Sequence, residues 1–136
     1  MNKATAIRMA LARRIAPAYA ANPKVRAVLL AGSVARGTAD HFSDIEIDVF
    51  WAEPPSEDEL QAPIEGVGAT LLYRAADENE WADGFFIEGI KVDTSQFLVA
   101  TIVRCLDDVF EQHLPDFDTS AARAEFSQPC TMEQLT

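Results

Sequence analysis

Leu30-Ala-Gly-Ser-Val-Ala-Arg-Gly-Thr-Ala-Asp-His-Phe-Ser-Asp-Ile-Glu-Ile-Asp48 is the stretch that decides how this chain folds. It begins at the end of an apolar run, Val25 to Ala31, that has the length of a strand. Gly32 to Thr38 reads as a turn that opens one short helix. From Asp44 to Phe50 the chain alternates strictly, with Asp44, Glu46 and Asp48 on one side and Ile45, Ile47 and Val49 on the other, the period of a strand with one face buried. Residues two apart on a strand share a face with Cα atoms about 7 Å apart. Asp44 and Glu46, so placed, can bridge hard cations such as magnesium through their oxygens. Metals held about 3.5–4 Å apart suit in-line displacement at phosphorus. Gly32 leaves the backbone open to a phosphate, and Ser33 adds a hydroxyl and an N–H at a helix start, where anions are favoured.

Outward from this stretch, residues 4–20 read as an amphipathic helix with Ile7, Leu11 and Ile15 at four-residue spacing and Arg8, Arg13 and Arg14 between them. Asn22-Pro23 ends it, because a residue before proline is pushed out of helical geometry. Pro54-Pro55 breaks the chain again. Ser56 and Glu59 fit a capping box for a short helix to about Ile64, limited by Pro63. Thr70–Tyr73 reads as a strand and Ala76–Asp83, being polar, as a loop or a short helical turn. Gly84–Glu88 and Ile90–Phe97 read as two strands joined at Glu88-Gly89. Val99–His113 reads as a second long helix, with Ile102, Leu106, Val109 and Phe110 on one face. Strands outnumber the crossovers between them, so the expected fold is α+β: a mixed sheet with helices packed mainly on one face. The chain reads as a single domain, 1–136, with its core over 25–113. The tail, 114–136, is weakly patterned and is expected to be the start of a C-terminal region of a longer protein.

A chain of 136 residues, 49% of them hydrophobic, can bury a core without disulfides or a structural metal. The net charge of -11 argues against general nucleic-acid binding, which needs a basic surface for phosphates. It suits a cationic small molecule or a basic protein partner, and equally an ordinary acidic surface. Cys105 and Cys130 have no CxxC partner, so zinc is not expected, and a reduced cytoplasmic setting is. Arg13 and Arg14 interrupt the N-terminal apolar stretch, which is therefore neither a signal peptide nor a membrane span. There is no phosphate-binding loop ending in Gly-Lys-Ser/Thr and no Gly-x-Gly-x-x-Gly turn.

The combined pattern resembles the signature of the DNA polymerase beta nucleotidyltransferase superfamily: an apolar residue, Gly-Ser, a spacer, then carboxylate-apolar-carboxylate-apolar. The spacer here, Val34 to Ser43, counts ten residues. Gly32, Ser33, Ala35, Arg36, Gly37, Ser43 and Asp44 also match the small bacterial members, in which Gly-Ser-x-Ala-Arg-Gly precedes Ser-Asp-x-Asp. Glu46 stands where most members have Asp, which keeps a ligand and lengthens it by one methylene; some aminoglycoside nucleotidyltransferases look similar in this. The resemblance covers residues 25–97. It implies transfer of a nucleoside monophosphate from an NTP to a hydroxyl of a small, antibiotic-like molecule, with release of pyrophosphate.

The resemblance also implies site residues. Asp44, Glu46 and a third carboxylate on a later strand would hold magnesium or manganese, two ions together. Asp93 in Ile90-Lys-Val-Asp-Thr-Ser95 fits the third place and, as in the family, would be the base that deprotonates the acceptor; Glu88 is its competitor. Gly32, Ser33, Arg36 and Ser43 would bind the nucleotide. Arg36 equally suits a pair with Asp40 or Asp44 that holds the turn. For Asp48 the expectation is a strand-end charge, for Lys91 an exposed strand lysine, for His41 a surface loop, and for Trp51, Trp81 and Tyr73 core packing rather than stacking on a base. Larger members complete the acceptor pocket with a C-terminal helical domain, so a second subunit or a longer chain is expected to do so here. Two other functions fit the same residues. One is a minimal nucleotidyltransferase of toxin–antitoxin type that modifies or binds a protein partner; the other is a non-catalytic nucleotide-binding module.

Overall fold

The computed structural model describes residues 1–113, with side chains to Asp108. The expectations for the tail and for Val109, Phe110 and Cys130 lie outside the described side chains. The elements run α1 (Lys3–Ala20), β1 (Val25–Ala31), α2 (Gly32–Ala35), β2 (Ile45–Trp51), α3 (Glu57–Gly66), β3 (Thr70–Asp77), β4 (Glu80–Ile87), β5 (Ile90–Leu98) and α4 (Val99–His113). The fold is α+β. Five strands form one mixed sheet in the order β1-β2-β5-β4-β3. β2 and β5 pair in parallel at its centre, and every other pairing is antiparallel.

Alternation decides which face is covered. Ile45, Ile47 and Val49 of β2, Val92 of β5 and Phe85 and Ile87 of β4 are buried in one core with Leu11, Ala12, Ile15, Ala16 and Tyr19 of α1 and Leu60 and Ile64 of α3. The core therefore begins at α1, earlier than residue 25. The face that α1 buries includes the expected Leu11 and Ile15 but not Ile7. Ile7 is 44% exposed while Thr5 and Arg8 are buried. The buried positions 5, 8, 11, 12, 15, 16 and 19 follow the mixed three-and-four spacing of a helix, so Leu11 and Ile15 fall on the buried face while Ile7, at its edge, does not.

Two further elements depart from the sequence reading. α3 has the capping box, with Ser56 Oγ accepting from the Glu59 N–H, but it passes Pro63 and ends at Gly66. Pro63 removes one backbone donor, and its own ring is buried with Leu60 and Ile64, so packing carries the helix through. The polar stretch Ala76–Asp83 is not a loop: it forms the turn and both flanks of a hairpin in which Asp77 pairs with Glu80 and Arg74 with Asp83. Asn79 takes the left-handed φ of 60° that the tight connection needs, a conformation asparagine tolerates. The polarity that suggests solvent belongs partly to an internal network. Arg74 Nη2 donates to Asp83 at 3.3 Å, Thr94 Oγ1 to Asp83 at 2.6 Å, Gln96 to Thr94 at 3.0 Å and Trp51 Nε1 to Gln96 at 2.8 Å. Burial raises the Asp83 carboxyl above its ordinary range, against the opposing pull of Thr94 and Arg74.

Candidate active site

The face of the sheet turned away from α1 carries the residues that alternate out of the core. Register fixes their neighbours. Ala31 of β1 lies beside Glu46 of β2, Glu46 beside Asp93 of β5, Asp93 beside Gly84 of β4, and Gly84 beside Tyr73 of β3. One row across five strands therefore brings residues from both ends of the sheet to the Glu46–Asp93 pair. Asp44 stands one residue before β2 and, by the same alternation, on the same face.

Asp44 and Asp93 lie close together, within reach of one lysine. Lys91 lies over both, with Nζ 3.8 Å from Asp44 Oδ2 and 3.4 Å from Asp93 Oδ1. The Asp44 carboxyl is pushed above its ordinary value by loss of water, then by the adjacent Asp93; Lys91 pulls the other way. Asp48, the third residue of this series, is mid-strand and half-buried rather than at a strand end. Its carboxyl is also raised, by burial first and then by the charge of Glu46. The open face thus gathers acidic groups faster than it supplies cations to balance them.

Gly32 has two structural reasons to be glycine. Its φ is +69°, and a Cβ there would run into the Glu46 carboxylate. The Glu46 side chain thus packs against the Gly32 backbone, which joins the turn to the acidic face. Ser33 accepts from the Thr38 N–H at 2.9 Å through its carbonyl. Ser43 holds the loop: its Oγ accepts from the Asp40 N–H at 2.9 Å and donates to Asp40 Oδ1 at 3.2 Å. Arg36 is exposed and makes no ion pair with Asp40 or Asp44 among the described residues, so Ser43 and Asp40 hold this turn without it. His41 is exposed as expected, with its ring 4.2 Å from that of the exposed Phe42.

Four residues matter here that the sequence reading passed over or placed elsewhere: Arg8, Thr5, Asn2 and Tyr73. Arg8, buried in α1, donates from Nε to the Ser43 carbonyl at 2.8 Å and from Nη1 to the Ala4 carbonyl at 3.2 Å. Thr5 Oγ1 accepts from the Ala39 N–H at 3.1 Å, and Asn2 donates to the Ala39 carbonyl at 3.0 Å. The first turns of α1 thus hold the loop that delivers Asp44. The signal was the helix period, which puts Arg8 on the same side as Ala12 and Ile15. Tyr73 is not in the core. Its ring lies across Gly84, where a Cβ would collide with it, and its hydroxyl donates to Asp93 Oδ1 at 2.7 Å. That bond, with lesser help from burial, pushes the phenol up to about 12. Lys91 Nζ lies 5.9 Å from the same ring. Trp51 is buried and Trp81 packs against the core, both as expected.

The competitor Glu88 stands in the β4–β5 turn with φ 49° and pairs with Arg14 of α1. Among the described residues, no three His, Cys, Asp or Glu side chains converge on a single point as they stand. The donor set is nonetheless of the kind hard cations take, all carboxylate oxygen, and an ammonium group already lies on two of its members. Among the described residues no helix is long and apolar enough to cross a membrane. Comparison of the chain with models of known protein families and with curated proteins finds no match.

Proposed function

We propose that the chain is a metal-dependent nucleotidyltransferase that moves a nucleoside monophosphate from an NTP to an acceptor hydroxyl. The observation that carries this is the pairing of Glu46 with Asp93 across parallel strands, with Asp44 and Asp93 both reached by Lys91 and Glu46 packed on Gly32. The Gly-Ser turn and three carboxylates from two distant segments lie on one open face. Asp44, Glu46 and Asp93 would hold magnesium or manganese, and the Lys91 ammonium resting on two of them marks where positive charge is favoured. Bound there, the metal supplies charge stabilisation for the phosphates and the leaving pyrophosphate.

The rest is done by the chain. Gly32 leaves room for the Glu46 carboxylate to lie against the turn. Arg8, Thr5 and Asn2 fix the loop from Ala39 to Ser43 and hence the reach of Asp44. Asp93 takes the proton of the acceptor hydroxyl, for which a base needs a heavy-atom separation of about 2.6–3.2 Å. Lys91, which rests on Asp44 and Asp93, would be available to the phosphates with a cation held by the carboxylates. The test is incubation with each α-labelled NTP and magnesium, with and without candidate acceptors, in wild type and Asp44→Asn. Label that depends on Asp44 supports the reading; a wild type that neither binds nor turns over any NTP refutes it.

A further inference from the structure

We infer that Tyr73 is itself an acceptor: the chain transfers a nucleoside monophosphate to its own Tyr73 hydroxyl. This rests on the proposed nucleotidyl transfer and names a phenol as the hydroxyl it takes. Among the described residues, the hydroxyl hydrogen-bonded to Asp93 is that of Tyr73, at 2.7 Å, inside the range a base needs to its acceptor of about 2.6–3.2 Å. The contact is built rather than incidental. Tyr73 is on an edge strand, two strand spacings, or about 9.5 Å, from Asp93. It spans the gap because β4 presents Gly84 beneath the ring, where any Cβ would collide. Tyr73 is 43% exposed, so a nucleotide can reach the hydroxyl from the open face. Asp93 Oδ1 also faces Lys91, which reaches Asp44 as well, so an outside hydroxyl has to displace Tyr73 to take its place.

The step balances with an NTP as the co-reactant. A lone pair of Tyr73 Oη forms the new bond to the α-phosphorus. The bond from that phosphorus to the oxygen bridging the β-phosphate breaks, and pyrophosphate leaves with the pair. The phenolic proton passes to the Asp93 carboxylate. The product is a tyrosyl phosphodiester.

The experiment uses the full chain with ATP, GTP, CTP or UTP and magnesium or manganese, read by intact mass and peptide mapping. A parallel melting series with non-hydrolysable NTPs records binding separately. The expected result is one nucleoside-monophosphate adduct on the Tyr73 peptide, formed at a rate independent of protein concentration. It should be absent in Tyr73→Phe and slowed roughly 10²–10⁴-fold in Asp93→Asn. A wild type that is stabilised by a non-hydrolysable NTP yet carries no adduct overturns the inference and leaves the proposed function standing. An equal adduct in Tyr73→Phe, or a rate that rises with protein concentration, also overturns it. Faster transfer to an added acceptor in Tyr73→Phe, with no adduct in wild type, makes Tyr73 a guard on Asp93 instead. Neither binding nor adduct would remove both readings.

Discussion

Two clusters built around carboxylates, one at Glu59 and one at Asp44, behave in opposite ways. Glu59, at the third position of α3, accepts from Asn22 Nδ2 at 2.7 Å, from Lys24 Nζ at 2.8 Å and from the Ser56 N–H at 3.0 Å. Its carboxyl is held down at about 2, chiefly by Asn22 and Lys24. Asp44 has Asp93 as its near neighbour and one lysine at 3.8 Å, and its carboxyl is pushed up. The first cluster brings its own donors and is complete within the fold. The second gathers like charges on an open face and leaves them short of positive charge. Hydrogen bonds to the charged form favour it, while like charges and lost water disfavour it. A carboxylate that serves the fold is one whose partners come with it; one left in deficit is a candidate for a partner from outside.

The sharpest way to break this contrast is catalysis. Asp93→Asn is expected to lose transfer by roughly 10²–10⁴-fold, the usual loss with a general base, while keeping much of the stabilisation by magnesium and NTP. Asp44→Asn is expected to lose both. Single-turnover labelling and calorimetric binding separate the two, and equal loss of binding in both variants would make Asp93 a ligand first. Next in size is metal linkage. Magnesium at a hundred times its Kd stabilises a protein by about 2.7 kcal/mol, so the wild type should melt several degrees higher with magnesium and higher again with NTP. Asp44→Asn relieves repulsion in the metal-free protein and should show little or no such rise. Identical responses in the two proteins would mean the ion binds elsewhere.

A smaller effect tests the joint between turn and acidic face. Gly32 and Gly37 both have positive φ, +69° and +75°, but a Cβ at Gly37 meets nothing within 4 Å. Gly37→Ala should cost about 1–2 kcal/mol for the left-handed backbone. Gly32→Ala should cost at least as much, since Glu46 must also move, and it alone should weaken the magnesium response. Thermal melts with and without magnesium decide this; equal responses in the two variants would detach Glu46 from the site.

The alternation in Asp44–Phe50 and Ile90–Phe97 made the sheet and its two faces legible, because a period of two leaves only one way to bury Ile45, Ile47 and Val92. That placed Asp44, Glu46 and Asp93 on one surface before any coordinates. The capping box was legible for the same reason: Ser56 and Glu59 answer each other at a fixed local spacing. What stayed hidden depends on contacts far along the chain. Tyr73 looked like core because nothing local reveals that Gly84, eleven positions on in sequence, clears its path to Asp93. Ala76–Asp83 looked like loop because the partner of its buried Asp83, Thr94, stands on β5, eleven positions on. Arg8 looked solvent-facing because its acceptor, the Ser43 carbonyl, is 35 residues away.

The last prediction concerns the completed cluster and is the smallest, because Glu59 is near solvent. Its carboxyl titrates at about 2 in the fold against an ordinary value of 4.5. Between those values the unfolded chain binds a proton that the folded chain does not, so stability rises with pH across that window. The contribution of Glu59 is therefore complete above 4.5 and is lost as pH falls toward 2. Glu59→Gln removes the titration, and the acid limb of melting temperature against pH should become shallower between those limits. Asp44→Asn should leave that limb in place. The Asp44 carboxyl is raised, so its linkage has the opposite sign: it favours the fold at low pH, and the benefit is lost as pH rises through its folded value. Melts at closely spaced pH values in wild type, Glu59→Gln and Asp44→Asn measure both. Should Glu59→Gln follow the wild-type acid limb unchanged, the donors of Asn22 and Lys24 are not holding the charge of Glu59, and the contrast between the two clusters loses its structural half.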